Sequence, residues 1–202
     1  MWTRQEQAIL RKLQTPERVQ AFLDALPYRC EDGHFSARAA LRDKRAHCFD
    51  GSLLAAACLL KSKYEPFLID LCAQDDDDHM LCGFRWRGRW GAVAKSNFPG
   101  LRFREPIFKT PRELVLSYFE FYFNMRGVKS LRRHSRPFRL PPVSRVDWLF
   151  DDRMGDVIVD LLSRAPHYDI LSHHQGRTLR RVDKRLFESQ LVGVDLKGVH
   201  RE

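Results

Sequence analysis

His47-Cys48-Phe49-Asp50-Gly51-Ser52-Leu53-Leu54-Ala55-Ala56-Ala57-Cys58-Leu59-Leu60 is the stretch on which the fold turns. From Ser52 onward it has the alanine and leucine content of a well-formed helix and no polar face, which predicts a helix buried on most sides. Cys48 falls at the N-terminal end of that helix. A thiol reacts as its thiolate, and the unpaired N–H groups and macrodipole of a helix N-terminus favour negative charge there. On placement alone Cys48 reads more readily as a small buried residue of the same kind as Cys58.

Working outward, a helix without a polar face requires a partner layer. Phe67-Leu68-Ile69-Asp70-Leu71-Cys72 predicts a buried strand, and the run from Asp75 to Asp78 is too polar and like-charged to be anything but an exposed loop. Met80-Leu81-Cys82-Gly83-Phe84-Arg85-Trp86 and Arg89-Trp90-Gly91-Ala92-Val93-Ala94 flank Arg87-Gly88, which predicts a hairpin. A two-residue loop sets His79 opposite Ser96, whereas a three-residue loop with a bulge sets it opposite Asn97. The expected core is therefore a small antiparallel sheet packed on the helix that contains Ala55, Cys58 and Leu59.

Thr15-Pro16-Glu17 places an N-cap before a proline suited to the first helical position, with Val19, Phe22, Leu23 and Leu26 at helical spacing up to Pro27. A loop and a short helix are expected between Tyr28 and Lys44. Thr110-Pro111-Arg112-Glu113 is a capping box, predicting a helix through Leu114, Tyr118, Phe121 and Tyr122 that stops near Gly127. Residues 125–145 hold Arg126, Lys129, Arg132, Arg133, Arg136, Arg139 and Arg145 with no acid among them, and read as a basic connecting segment. Residues 147–162 are expected to be helical, followed by a weakly patterned tail carrying His173 and His174.

With 202 residues, 44% of them hydrophobic and 30% charged, the chain has the size and composition of one globular domain. Its core is expected at about residues 15–125, with a basic extension over residues 126–202. No apolar run approaches the ~18 residues of a membrane span, and no apolar leader follows Met1, so neither a membrane partner nor secretion is expected and the cytoplasm is the default compartment. Five cysteines form an odd set with no CxxC, which argues for reduced thiols rather than disulfides or a zinc knuckle. Cys72, His79 and Cys82 do not match a common metal spacing, and the aspartate run lacks the glycine and closing glutamate of a calcium loop, so no metal or other cofactor is expected. The net charge of +9 biases partners toward a polyanion or an acidic protein.

His79 lies 79 − 48 = 31 residues after Cys48, at the edge of a strand that follows an intervening strand and an acidic loop. In that order the imidazole can lie over the helix end, with the sulfur within ~4 Å of it, and exchange the thiol proton. Together these features resemble the transglutaminase-like superfamily of papain-type thiol enzymes, over residues 44–97, about a quarter of the chain. His79, Gly88 and Trp90 match the family's histidine strand, its turn and its returning tryptophan, while Cys48-Phe49-Asp50 through Leu60 resembles its nucleophile helix. The resemblance implies an α+β fold of papain or transglutaminase-like type, with a nucleophile helix on a small antiparallel sheet and additional helices toward both ends. It also implies a cysteine hydrolase or acyltransferase that acts on a peptide or other amide or acyl substrate through a Cys48 thioester. Where the family usually has the aspartate that orients the histidine, this chain has Ala94. Asn97 or the weaker Ser96 is expected to take that role, with Asp70 on the preceding strand a further option. The missing aspartate equally suits an inactive relative that uses residues 125–145 as an electrostatic binding surface.

Overall fold

The computed structural model describes residues 1–199. Helix α1 (Arg4–Leu10) opens on Thr3, whose hydroxyl takes the Glu6 N–H while the Glu6 carboxylate returns to the Thr3 N–H. Helix α2 (Pro16–Ala25) is capped by Thr15, as its sequence predicts. Its C-terminal end is closed by a buried lysine: Lys95 Nζ donates to the Leu23 carbonyl at 2.9 Å and also to that of Leu26. Helix α3 (Ala37–Arg42) has its first N–H groups taken by the carbonyls of Trp148 and Leu149, more than a hundred residues away. Helix α4 (Cys48–Leu59) is buried at every one of its twelve positions.

Strand β1 (Glu65–Ala73) pairs with β2 (His79–Trp86), which turns into β3 (Arg89–Val93). Arg87 and Gly88 both have positive φ, 49° and 77°, the type I′ geometry whose twist suits a two-residue hairpin. Trp86 pairs with Arg89 and Cys82 with Val93, the register of the shorter loop. Strand β4 (Arg104–Phe108) pairs with β3, and β5 (Leu131–Ser135) pairs with the other side of β1. Among the described residues the sheet has six strands in the order β4-β3-β2-β1-β5-β6, all antiparallel, with β6 (His167–Asp169) on the far edge. Helices α5 (Pro111–Leu116), α6 (Met154–Ser163), α7 (His173–Thr178) and α8 (Lys184–Gln190) complete the described set.

Both faces of the sheet are covered. Leu54, Ala55, Cys58 and Leu59 of α4 meet Cys82, Phe84 and Val93 on one face. Ile69, Leu71, Leu81 and Ala92 meet Leu114, Val115, Tyr118 and Tyr122 on the other. The mixed architecture expected from the alternating hairpin and the apolar helix is present.

Three elements differ from the sequence reading. Helix α5 ends at Leu116 instead of running toward Gly127. The Arg104 guanidinium takes the Ser117 hydroxyl and carbonyl, and the chain leaves the helix so that Tyr118 is fully buried with its hydroxyl on the Arg102 carbonyl. The basic stretch is not merely a connector, because β5 runs through it. Leu131, His134 and Ser135 are buried there, so the core continues past residue 125. Helix α6 begins at Met154, since residues 147–152 form turns around the Asp147 carboxylate and carbonyl. All five cysteines are free thiols. Among the described residues no helix is long and apolar enough to cross a membrane.

Candidate active site

Cys48 is the first residue of α4 and His47 is its N-cap. The cap is fixed by Asp50, whose carboxylate accepts the His47 N–H at 2.7 Å. Asp50 is wholly buried and faces Arg29, whose Nε lies 3.4 Å from Asp50 Oδ2. That contact is an ion pair without hydrogen-bond alignment, for neither atom has a hydrogen-bond partner among the described residues. Arg29 spends its aligned donor on Asp43, at 2.9 Å. Burial raises the Asp50 carboxyl to about 6 against the opposing effect of Arg29.

The sulfur of Cys48 lies 3.3 Å from His47 Nδ1. Burial lowers the basicity of His47, against the pull of Asp50, so at neutral pH the ring is uncharged and Nδ1 can accept the thiol proton. Tyr28, bridged through its backbone to Ala46, sets its ring 5.3 Å from that of His47. Burial, with a further contribution from Cys48, raises its phenol well above the ordinary value and keeps it protonated.

His79 opens β2 opposite Leu71 and is 6% exposed. Its Nε2 lies 2.8 Å from the Leu101 carbonyl. A carbonyl only accepts, so Nε2 carries the proton and Nδ1 is the basic nitrogen of the neutral ring. Tyr122, whose hydroxyl donates to the Asp77 carbonyl at 2.6 Å, braces the loop just before His79 and approaches its ring edge-on at 6.5 Å.

Cys48, His79, Ser96 and Asn97 all line one cavity of about 50 Å³, together with His47 and Tyr28. The contacts within it differ from the expected ones. Among the described residues the imidazole hydrogen-bonded to the sulfur is that of His47, the adjacent residue, and not that of His79. Neither Ser96 nor Asn97 holds His79. The hairpin ladder stops at Cys82 and Val93 because the Gln20 amide brackets Ala94, accepting its N–H and donating to its carbonyl, each at 3.0 Å. Beyond that point the chain departs from β2. The Ser96 hydroxyl accepts the Phe98 N–H, and the Asn97 amide donates to the carbonyls of Asp195 and Gly198 while accepting the Asp195 N–H. Asp70 pairs with Met80, so it lies on the opposite face of the sheet from His79.

Sequence reasoning missed three parts of this site. His47 was recognisable as the residue before Cys48 at a helix start, but its ring position depends on a side-chain rotamer. The Leu101 carbonyl carries no side-chain signal. The third is the C-terminal segment: Gln190 at the end of α8, with Gly198 and Val199, closes one side of the cavity, and the Gln190 side-chain amide oxygen accepts the Gly100 N–H at 2.7 Å. Neither a scan against protein-family models nor a search of curated proteins returns a match to this chain.

Proposed function

We propose that the chain is a transglutaminase-like thiol enzyme that transfers or hydrolyses acyl groups through a thioester on Cys48. The observation that carries this reading is a cysteine at the first position of a buried helix, 3.3 Å from an imidazole nitrogen, in a cavity that a second imidazole also lines. The order of nucleophile helix, strand, acidic loop and histidine-led hairpin, on an antiparallel sheet, supports the papain-type reading of the fold. Five unpaired thiols suit a reducing compartment such as the cytoplasm.

In this reading His47 Nδ1 takes the thiol proton and the Cys48 thiolate attacks the acyl carbon of an amide or ester. The N-terminal N–H groups of α4 favour the developing oxyanion. The proton passes to the leaving amine or alcohol as the carbonyl reforms, giving the thioester. His79, with Nδ1 as its basic nitrogen, then takes a proton from the water or amine that attacks the thioester; the C–S bond breaks, the acyl product leaves and the proton returns to the Cys48 thiolate. A carbonyl orients the imidazole but stabilises imidazolium less than a carboxylate does, so turnover is modest.

One observation favours a second reading, a non-catalytic binding module: His79 Nε2 is held by the Leu101 backbone carbonyl and not by a carboxylate. Its proposed polyanion surface has weaker support, because Lys129, Arg133 and Arg139 are paired with Glu120, Asp169 and Glu65. Incubation with activated esters and glutamine-containing peptides, followed by intact mass, separates the two. An acyl adduct on Cys48 that disappears in Cys48→Ala supports the enzyme, with turnover falling about 10²–10⁴-fold in His79→Ala. No adduct and no turnover with either substrate class supports the binding module.

A further inference from the structure

Away from the cavity, three ligand-type side chains converge on one face of the sheet. Asp70 and Cys72 alternate onto the same side of β1, and His167 stands on β6, two strands away. They meet because Ser135, the intervening residue on β5, is small. It pairs with His167, and its hydroxyl accepts the Asp70 N–H at 2.9 Å. Over it, Asp70 Oδ2 lies 4.0 Å from His167 Nε2 and 3.5 Å from Cys72 Sγ. One ligand atom from each of the three residues falls within 4.8 Å of the other two, all partly buried.

An ion with bonds of about 2.0–2.3 Å holds tetrahedral donors about 3.3–3.8 Å apart; the 3.5 Å between Asp70 and Cys72 fits this, and the 4.0 Å between Asp70 and His167 must shorten on binding. The orientation of the histidine is an independent observation. His167 Nδ1 lies 2.8 Å from the Ala165 carbonyl, so Nδ1 carries the proton and Nε2 turns its lone pair toward Asp70 and Cys72. Backbone anchoring of the remote nitrogen is how metal-bound imidazoles are commonly held. The cluster is also short of positive charge. Burial, with the neighbouring Asp78 carboxylate, raises the Asp70 carboxyl, while burial and Asp70 raise the Cys72 thiol. Asp78 itself accepts the Ala73 N–H at 2.7 Å. The Asp70 and His167 side chains keep 18% and 11% of their surface exposed, so the cluster is open to solvent.

We infer that Asp70, Cys72 and His167 form a binding site for a zinc-like divalent ion, with a water or an incoming ligand at the fourth position. Sequence spacing gives no sign of it, because His167 lies ninety-five residues beyond Cys72 and is brought in by β6. On binding, Cys72 releases its proton to solvent and the ion ties the edge strand to β1. None of the three residues lines the Cys48 cavity, and the site does not depend on the proposed thiol chemistry.

Cobalt(II) titration of the chelator-treated full chain tests the site, because thiolate-bound cobalt absorbs in the near ultraviolet. The expected result is one cobalt per chain with a thiolate-to-cobalt band, present equally in the wild type and in Cys48→Ala. The band disappears in Cys72→Ala, and affinity falls about tenfold or more in His167→Gln. Circular dichroism verifies that each variant is folded; should Cys72→Ala not fold, His167→Gln decides. Three outcomes overturn the inference: no thiolate band in the wild type, a band lost in Cys48→Ala, or wild-type affinity retained in folded His167→Gln.

Discussion

At the scale of single residues, two imidazoles share the cavity of Cys48 and are held differently. His47 is adjacent to the sulfur and has its basicity lowered by burial, whereas His79 is anchored by the Leu101 carbonyl. Cys48 was legible in the sequence as a helix-start thiol, and its placement at the first position of α4 bears that out. The orienting role expected of Ser96 and Asn97 was not legible correctly, because the Gln20 amide ends the ladder at Ala94. The lowered pKa of His47 has a consequence for stability. The unfolded chain binds a proton near pH 6.5 that the folded chain resists, so stability present above that pH is lost as pH falls through the depressed folded value. The raised Asp50 and Asp70 carboxyls act in the opposite direction over the same range, so the His47 share is read as the difference in urea midpoints between wild type and His47→Gln from pH 7.5 to 5; equal changes in the two would remove His47 from the explanation.

At the scale of elements, α4 and the hairpin were readable because their burial is uniform or alternating and their turn needs a glycine. Strand β5, Leu131-Arg132-Arg133-His134-Ser135, was not, since four of its five side chains are polar and two of those, His134 and Ser135, are buried by neighbouring strands. The hairpin offers a controlled comparison of two glycines. A Cβ at Gly91 would lie 2.7 Å from the Phe84 ring and 2.8 Å from the Arg104 carbonyl oxygen, where β3 and β4 shift register. Gly91→Ala should therefore cost about 1–3 kcal/mol by overpacking. Gly88 has open space around it, so Gly88→Ala should cost about 1–2 kcal/mol from its positive φ alone. Denaturant unfolding measures both, and a neutral Gly91→Ala would contradict the packing of β3 on β4. Residues 195–198 are tied over the cavity by Asn97, so Asn97→Ala should speed the reaction of Cys48 with a small alkylating reagent. An unchanged rate would show that this segment does not limit access.

At the scale of the whole molecule, the division into a core ending near residue 125 and a basic extension gives way to a continuous sheet. Trp148, Ile158 and Leu162 pack with Phe49 and Leu53 of α4, and β5 lies against β1. A fragment of residues 1–125 should consequently fail to fold, which circular dichroism and a urea titration would reveal; a cooperative unfolding transition in that fragment would restore the shorter core. The same packing leaves Cys48 at 5% exposure while Cys30 and Cys72 are partly open, so access alone ranks Cys48 behind them, the reverse of the order the proposed mechanism requires. Limited iodoacetamide treatment near neutral pH, read cysteine by cysteine through peptide mass spectrometry, tests the central claim most directly. If Cys48 is the nucleophile it is alkylated before Cys30 and Cys72, and that preference shrinks in His47→Ala. Alkylation in the order of exposure, with Cys48 among the last and His47→Ala without effect, would contradict it.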